Sequence, residues 1–179
     1  MTIVRVAFYV YWKKLINALI AGWTWLPNIG TPPASHVELG VELDVYDLAF
    51  IDMEYPELRG KVPDKPGWWF FSSTMRDGSK GCRWIWHEDL FKYKERWMVK
   101  ELKYWTRPKK VMVESCCNLV GRGYDIPGIF GFIIPFGFND KNKFYCSECV
   151  FKILFGFWKK LISPRRLFRK LDKVGAKNV

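Results

Sequence analysis

Two cysteines three residues apart, Cys146 and Cys149, open an apolar segment that ends in basic residues, "FYCSECVFKILFGFWKKLI". Such a pair can bind a metal, form a redox couple or supply one nucleophile. A zinc site needs four ligands at suitable spacing, and no second spaced pair accompanies this one. A redox pair favours a strand leading into a helix, which this segment fits, but the residues between the cysteines are not the usual ones. We therefore predict neither a metal nor a cofactor.

The nucleophile interpretation of Cys146 has more support from the local pattern. If a helix begins at this residue, its sulfur lies near unpaired backbone N–H groups and the positive end of the helix dipole, which favour the thiolate. The thiolate needs a base, and the chain has only two histidines, His36 and His87. His36 opens a predicted strand with Glu38 on the same face, because side chains in a strand repeat direction every two residues. We interpret His87, in a predicted loop, as structural.

The elements that must hold these residues follow from hydrophobic periodicity. Alternating apolar residues predict strands, and apolar residues at helical spacing predict helices. The predicted strands are 2–12, one or two within 36–51, 68–74, 82–86 and 96–105. The predicted helices are 13–25, a segment from Pro108 to Gly121, and one that begins near Cys146. Strands and helices in this order indicate a mixed α/β domain.

Length and composition indicate one globular domain. The 179 residues are 49% hydrophobic and 18% aromatic, which is enough to build a core. The start of the chain lacks the features of a signal peptide, and the longest apolar run is too short for a membrane span. An odd number of cysteines, five, points to a reducing compartment. We expect a cytoplasmic protein.

The net charge of +11 predicts a surface that favours polyanions. Much of the excess lies after Ser163, so we predict a domain at 1–162 and a separable basic tail at 163–179. This tail is expected to bind an anionic polymer or a membrane surface. The aromatic residues are not interleaved with the basic ones in any motif that reads RNA or DNA, so we predict no specific nucleic-acid partner.

Three motifs together resemble a known family. "ASHVELGVEL", then "GYDIPG" far downstream, then "FYCSECVFKI" is similar to the circularly permuted branch of the NlpC-like, papain-fold cysteine hydrolases, which includes YiiX-like and many phage-encoded proteins. In that branch the histidine strand precedes the nucleophile. "FFSSTMRDGSKGCRWI" resembles the middle strand and turn of the phage versions. The resemblance covers most of residues 2–155. It implies a permuted papain-like fold of the α+β class, with an antiparallel sheet against which the Cys146 helix packs.

Carried over residue by residue, the resemblance implies that Cys146 is the nucleophile and His36 the general base. The group that orients the imidazole is either a serine of the next strand, Ser72 or Ser73, or Glu38. We favour Glu38, since a carboxylate stabilises an imidazolium better than a hydroxyl does. Tyr124 matches the family tyrosine that shapes the oxyanion site.

The reaction that the resemblance implies is thiol-dependent hydrolysis of an amide bond in a peptide-like substrate such as peptidoglycan peptide. Two alternatives stay open. One is a structural or interaction protein of a phage particle that keeps the fold without useful catalysis, and that is packaged in the virion with other virion proteins. The other is acyl transfer to lipid, because the same pair of side chains serves both reactions.

Overall fold

The computed structural model describes residues 2–11, 34–75, 78–105, 107–125, 143–157 and 162–179. Within these residues, six strands form one antiparallel sheet and five α-helices accompany it. The predicted α+β class is confirmed. The strands are β1 (Thr2–Tyr9), β2 (His36–Leu43), β3 (Gly67–Thr74), β4 (Gly81–Trp86), β5 (Trp97–Trp105) and β6 (Lys177–Asn178). The helices are α1 (Val45–Glu54), α2 (His87–Leu90), α3 (Lys109–Cys117), α4 (Cys146–Phe155) and α5 (Pro164–Lys173), with 3₁₀ turns at Pro56–Leu58 and Phe91–Arg96.

The sheet order is β4-β3-β2-β1-β5-β6, and all neighbouring strands are antiparallel. The predicted hairpin around "RDGSKG" is present as β3 and β4, with Ser73 opposite Cys82. The predicted helix at 13–25 lies outside the described residues, as does most of the segment 126–143. No helix in the part of the chain that the structure describes is long and apolar enough to cross a membrane.

The two faces of the sheet carry different side chains, because residues alternate along each strand. We call one the helix face, since α4 and α5 pack on it. Its apolar residues include Val4, Val6, Phe8, Val37, Leu39, Val41, Phe71 and Cys82. We call the other the ion-pair face, and a smaller cluster around Ala7, Phe70 and Leu90 packs there. The alternation thus separates a large apolar core from a second, partly polar layer.

Residues 45–51, which the sequence predicted as strand, form most of α1, so that prediction is wrong. Asp44 accepts hydrogen bonds from the backbone N–H groups of Tyr46 and Asp47, and the Asp47 side chain accepts from the N–H of Asp44. This reciprocal capping box fixes a helix start. The local hydrogen bonds outweigh the strand preference of the apolar residues in "VYDLAFI".

Helix α5 packs into the same core and β6 joins the sheet, so the structure corrects the prediction of a separable tail at 163–179. Leu167 and Leu171 of α5 are fully buried on the helix face, where Phe168 packs edge-on against Phe8. The buried Lys100 of β5 donates to Asp172 and Asn178, and β6 pairs with β5. The sequence criterion was net charge, which ignores the apolar residues at helical spacing within the same segment.

Candidate active site

A buried ion-pair array lies on the ion-pair face at the start of β2. His36 Nε2 lies 2.9 Å from Glu38 Oε1, and the two terminal nitrogens of Arg83 donate to the two Glu38 oxygens at 3.0 and 3.2 Å. Glu38 is fully buried and His36 is 4% exposed. Burial by itself raises the pKa of Glu38, but the Arg83 charge and the His36 hydrogen bond outweigh it and lower the pKa to about 2.

The ionised carboxylate orients the imidazole through this hydrogen bond. A neutral ring that donates its Nε2–H to Glu38 keeps its basic lone pair on Nδ1, which is the atom a general base uses to accept a proton. Positive charge that develops on the ring after proton transfer is stabilised by the same carboxylate. The predicted pairing of His36 with Glu38 on one face is therefore present, with geometry suited to an oriented base.

Arg83 is the member of this array that the sequence analysis missed. It lies on β4 opposite Ser72 of β3, and its side chain crosses β3 to reach Glu38 on β2. The small Ser72 side chain leaves room for this crossing, and its hydroxyl donates to the Val37 carbonyl at 2.7 Å. The predicted hairpin at 68–74 and 82–86 could have pointed to Arg83. Its register pairs this arginine with a residue of β3, and β3 is the neighbour of the strand that carries Glu38.

Cys146 is the first residue of α4, as the sequence predicted. The residue before it, Tyr145, occupies the N-cap position and makes no side-chain capping hydrogen bond. The backbone N–H groups of the first helical turn therefore have no side-chain cap at this position, and they can stabilise negative charge on a sulfur or on an oxyanion. Cys146 is 4% exposed.

The start of α4 and the start of β2 lie at the same end of the sheet. β3 runs antiparallel to β2 and β4 antiparallel to β3, so β4 begins at the end of the sheet where His36 lies. Gly81, the first residue of β4, pairs with Gly123, and the residue after Gly123 pairs with Phe144. Phe144 precedes Cys146 by two residues. A chain of backbone pairs thus links the His36 end of the sheet to the helix that begins at Cys146.

The far end of α4 confirms the direction in which this helix runs. Trp105 Nε1 donates to the Leu154 carbonyl at 3.1 Å, and Trp105 pairs with Thr2 at the opposite end of the sheet. The helix therefore crosses the helix face from one end of the sheet to the other. Its N-terminal turn, which carries Cys146, lies toward the end where β2 begins.

The two side chains project differently from that end. His36 shares the ion-pair face with Glu38, and its ring lies 6.3 Å from the ring of Trp97. Cys146 belongs to the apolar core beneath the helix face. Because the sheet separates these faces, any contact between the imidazole and the thiol has to form around the end of β2, where His36 is the first strand residue.

The two other predicted site residues lie on different sides of this arrangement. Tyr124 pairs with Phe144, so its backbone runs beside the segment that enters α4. Ser73 is fully buried on the helix face opposite Cys82. The serine on the same face as Glu38 is Ser72. Of the orienting groups considered from sequence, the carboxylate of Glu38 is the one that contacts the imidazole.

The other four cysteines lie outside the first turn of α4, and burial keeps three of their thiols protonated. None of the five cysteines forms a disulfide. Burial raises the pKa of Cys116 and Cys149 well above the ordinary thiol value and that of Cys117 to about 12, so these three stay protonated at neutral pH. The pKa of Cys82 is lowered instead, because the Cys149 thiol lies 3.9 Å from the Cys82 sulfur and hydrogen-bonds to it. Cys149 is fully buried on α4.

Comparisons with known proteins add nothing to this geometry, since no family model, curated protein or solved structure matches the chain. Within the described residues, no three side chains of His, Cys, Asp or Glu lie together in a way that could hold a metal ion.

Proposed function

We propose that the protein is a cysteine hydrolase that cleaves an amide bond in a peptide-like substrate, with Cys146 as nucleophile and His36 as general base. The observation that carries the proposal is the buried array of His36, Glu38 and Arg83 at the end of the sheet where the nucleophile helix begins. A histidine held by an ionised carboxylate has the orientation and charge stabilisation that a base needs.

The proposed reaction has two stages. His36 Nδ1 accepts the proton of the Cys146 thiol, and the thiolate attacks the carbonyl carbon of the substrate. The tetrahedral oxyanion binds backbone N–H groups at the start of α4. The imidazolium then protonates the departing amine, which leaves a thioester on Cys146. In the second stage His36 takes a proton from water, the hydroxide attacks the thioester, and the acid product and the thiol are released.

Glu38 and Arg83 act through the imidazole rather than on the substrate. Glu38 fixes the ring so that Nδ1 faces away from the carboxylate, and Arg83 keeps Glu38 ionised although it is fully buried. Arg83 is therefore a positioning residue in this proposal. A lysine at this position retains the charge but loses the two parallel hydrogen bonds to the carboxylate.

The fold that the proposal assumes is the permuted papain-like arrangement suggested by the sequence motifs. Support comes from the chain order of the elements, with the histidine strand before the nucleophile helix, and from the packing of that helix on an antiparallel sheet. The substrate class, peptidoglycan peptide or another peptide, rests on the motif resemblance alone.

The first test is turnover of peptidoglycan fragments by purified protein. We expect Cys146→Ala and His36→Ala each to abolish release of the amine product while the far-ultraviolet circular dichroism stays that of wild type. Cys149→Ala is the matched control, because it removes a thiol from the same helix one turn away, and it should retain turnover. Full activity of Cys146→Ala would overturn the proposal.

A second test uses alkylation and does not require the substrate to be known. We expect iodoacetamide to modify Cys146 first, and the rate to fall in His36→Ala. Cys82 is the competing thiol because its pKa is lowered, so the measurement is made in a Cys82→Ala background and the adduct is located by mass spectrometry. Equal labelling of several cysteines, or no effect of His36→Ala, contradicts the paired thiol.

The competing proposal is a fold without catalysis, as in a structural protein of a phage particle. One observation favours it: the imidazole lies on the ion-pair face, where its hydrogen bond to Glu38 serves a purely structural array equally well. A crystal structure distinguishes the two. A separation between Cys146 Sγ and His36 Nδ1 larger than one bridging water can span leaves the hydrolase without a base.

A further inference from the structure

A row of basic side chains covers the outer face of α5. Arg166, Arg169, Lys170 and Lys173 follow the spacing i, i+3, i+4 and i+7, which aligns them along one side of a helix. Three of them are exposed and Lys170 is half-buried, whereas the opposite side of the helix is buried in the core. We call these four residues the basic stripe. The one acid of α5, Asp172, is bound to Lys100.

An exposed aromatic side chain borders the basic stripe. Phe157, just after α4, is 55% exposed. It contacts the rings of Phe151 and Phe155, and the Lys170 ammonium lies 4.7 Å from the centre of the Phe155 ring. The Lys170 charge thus lies over the two rings that Phe157 also contacts. Phe157 thus borders the basic stripe at Lys170.

We propose that this surface binds the protein to an anionic lipid bilayer. The apolar side of α5 is buried in the core, so its charged side would face the headgroups, and an exposed aromatic residue at the border of that side suits a peripheral contact with a bilayer. The lysines and arginines attract anionic headgroups, and the phenylalanine enters the boundary between headgroups and acyl chains. The charge alone suits any polyanion, and the exposed Phe157 is what favours a bilayer.

Nucleic acid fits this surface less well. Proteins that bind single strands line a groove with several aromatic side chains on which bases stack. The exposed positions of α5 carry basic residues and Asp172, with no aromatic among them. The basic stripe lies on one convex helix rather than in a groove.

The membrane proposal is independent of the proposed reaction. Cys146 and the Phe157 end of α4 lie at opposite ends of the helix, about 14 Å apart along its axis.

Vesicle sedimentation tests the proposal with the full-length protein. We expect wild type to bind vesicles of phosphatidylglycerol and phosphatidylcholine, to bind pure phosphatidylcholine vesicles at least tenfold less, and to lose binding as salt is raised. Arg166→Gln combined with Lys173→Gln should lower the partition coefficient about 25-fold, because each basic residue near an anionic surface contributes roughly fivefold.

The matched control is Lys92→Gln combined with Lys94→Gln. It removes the same number of charges from the exposed segment Phe91–Arg96, which packs on the ion-pair face, on the other side of the sheet. We expect this variant to bind vesicles within about twofold of wild type. An equal loss in both double variants would show that only net charge matters, and would overturn the proposed surface.

Phe157→Ala separates a bilayer from a soluble polyanion. Insertion of the ring predicts a loss of vesicle binding of several-fold with unchanged binding to duplex DNA. If Phe157→Ala leaves vesicle binding unchanged, or if the wild type binds DNA but no vesicle, the proposal is wrong. Circular dichroism of each variant confirms that the helices are retained, so that a loss of binding reports on the surface.

Discussion

The two faces of the sheet achieve burial in different ways. The helix face is filled by apolar side chains from five strands and the helices, so its stability is distributed over many contacts. The ion-pair face buries the Glu38 carboxylate, which depends on two specific partners, His36 and Arg83. In an apolar core the loss of stability on truncating one side chain scales with the volume of the cavity left behind. A buried charge that loses its partner costs more, because the charge is left uncompensated. The chemistry of this protein is proposed to use the second arrangement.

The sharpest test of this difference is a double-mutant cycle between Arg83 and Glu38. We expect Arg83→Met alone to lower the free energy of unfolding by about 3–5 kcal/mol, because it leaves the carboxylate buried without its counter-ion. Combining it with Glu38→Gln removes the uncompensated charge, so the double variant should be less destabilised than the sum of the two single variants. Urea denaturation measures all three. Additive losses would mean that the array is not coupled.

Leu167→Ala tests the helix face at a residue that the charge pattern assigned to a tail. Leu167 is fully buried in the core, and a cavity of this kind costs about 2–5 kcal/mol. We expect one cooperative unfolding transition with a lowered midpoint. If residues 163–179 were separable, the Leu167→Ala variant would unfold at the wild-type midpoint. Deletion of residues 163–179 would then leave the rest of the domain equally stable.

The pH dependence of stability distinguishes the faces without altering the apolar core. Glu38 has a pKa of about 2 in the folded protein and an ordinary value of 4.5, so its stabilising effect is complete above about pH 4.5 and is lost as the pH falls toward 2. The linked change is about 3 kcal/mol. We expect the stability difference between wild type and Glu38→Gln to shrink over this window. A constant difference would indicate that Glu38 titrates normally.

Ser163→Ala should have the smallest effect on the free energy of unfolding. It measures the contribution of one polar contact on the helix face. The Ser163 hydroxyl accepts from the backbone N–H of Arg166 at 3.2 Å and caps α5. Loss of such a cap costs about 1 kcal/mol. Thermal denaturation should show a shift of a few degrees. Ser163→Thr, which keeps a hydroxyl acceptor at the same position, should retain most of the wild-type stability.

Much of the fold was predictable because the strands follow simple alternation. The patterns at 2–12, 68–74, 82–86 and 96–105 are strands in the structure, within a few residues at their ends. The failure at 45–51 has a local cause, the capping box of Asp44, whose side-chain hydrogen bonds carry no hydrophobic signal. The failure at 163–179 arose because net charge concealed an amphipathic helix.

The candidate site was predictable in part for the same reasons. A period of two placed His36 and Glu38 on one face, and they are hydrogen-bonded. Arg83 was missed because its partner is 45 residues away in sequence, and contacts across three strands depend on register rather than on local composition. The sequence could not distinguish Ser72 from Ser73 as the orienting group. The pleat of β3 places Ser72 on the ion-pair face and Ser73 on the helix face.

By itself the sequence determined which segments form most of the strands and helices, that Cys146 begins a helix, and that His36 and Glu38 share a face. These properties depend on hydrogen bonds and side-chain directions within a few residues. The tertiary structure decided that Arg83 neutralises Glu38, that α5 completes the core, and that the imidazole and the thiol lie on different faces at one end of the sheet. Those properties arise from strand order and register, which bring together residues that no local pattern connects.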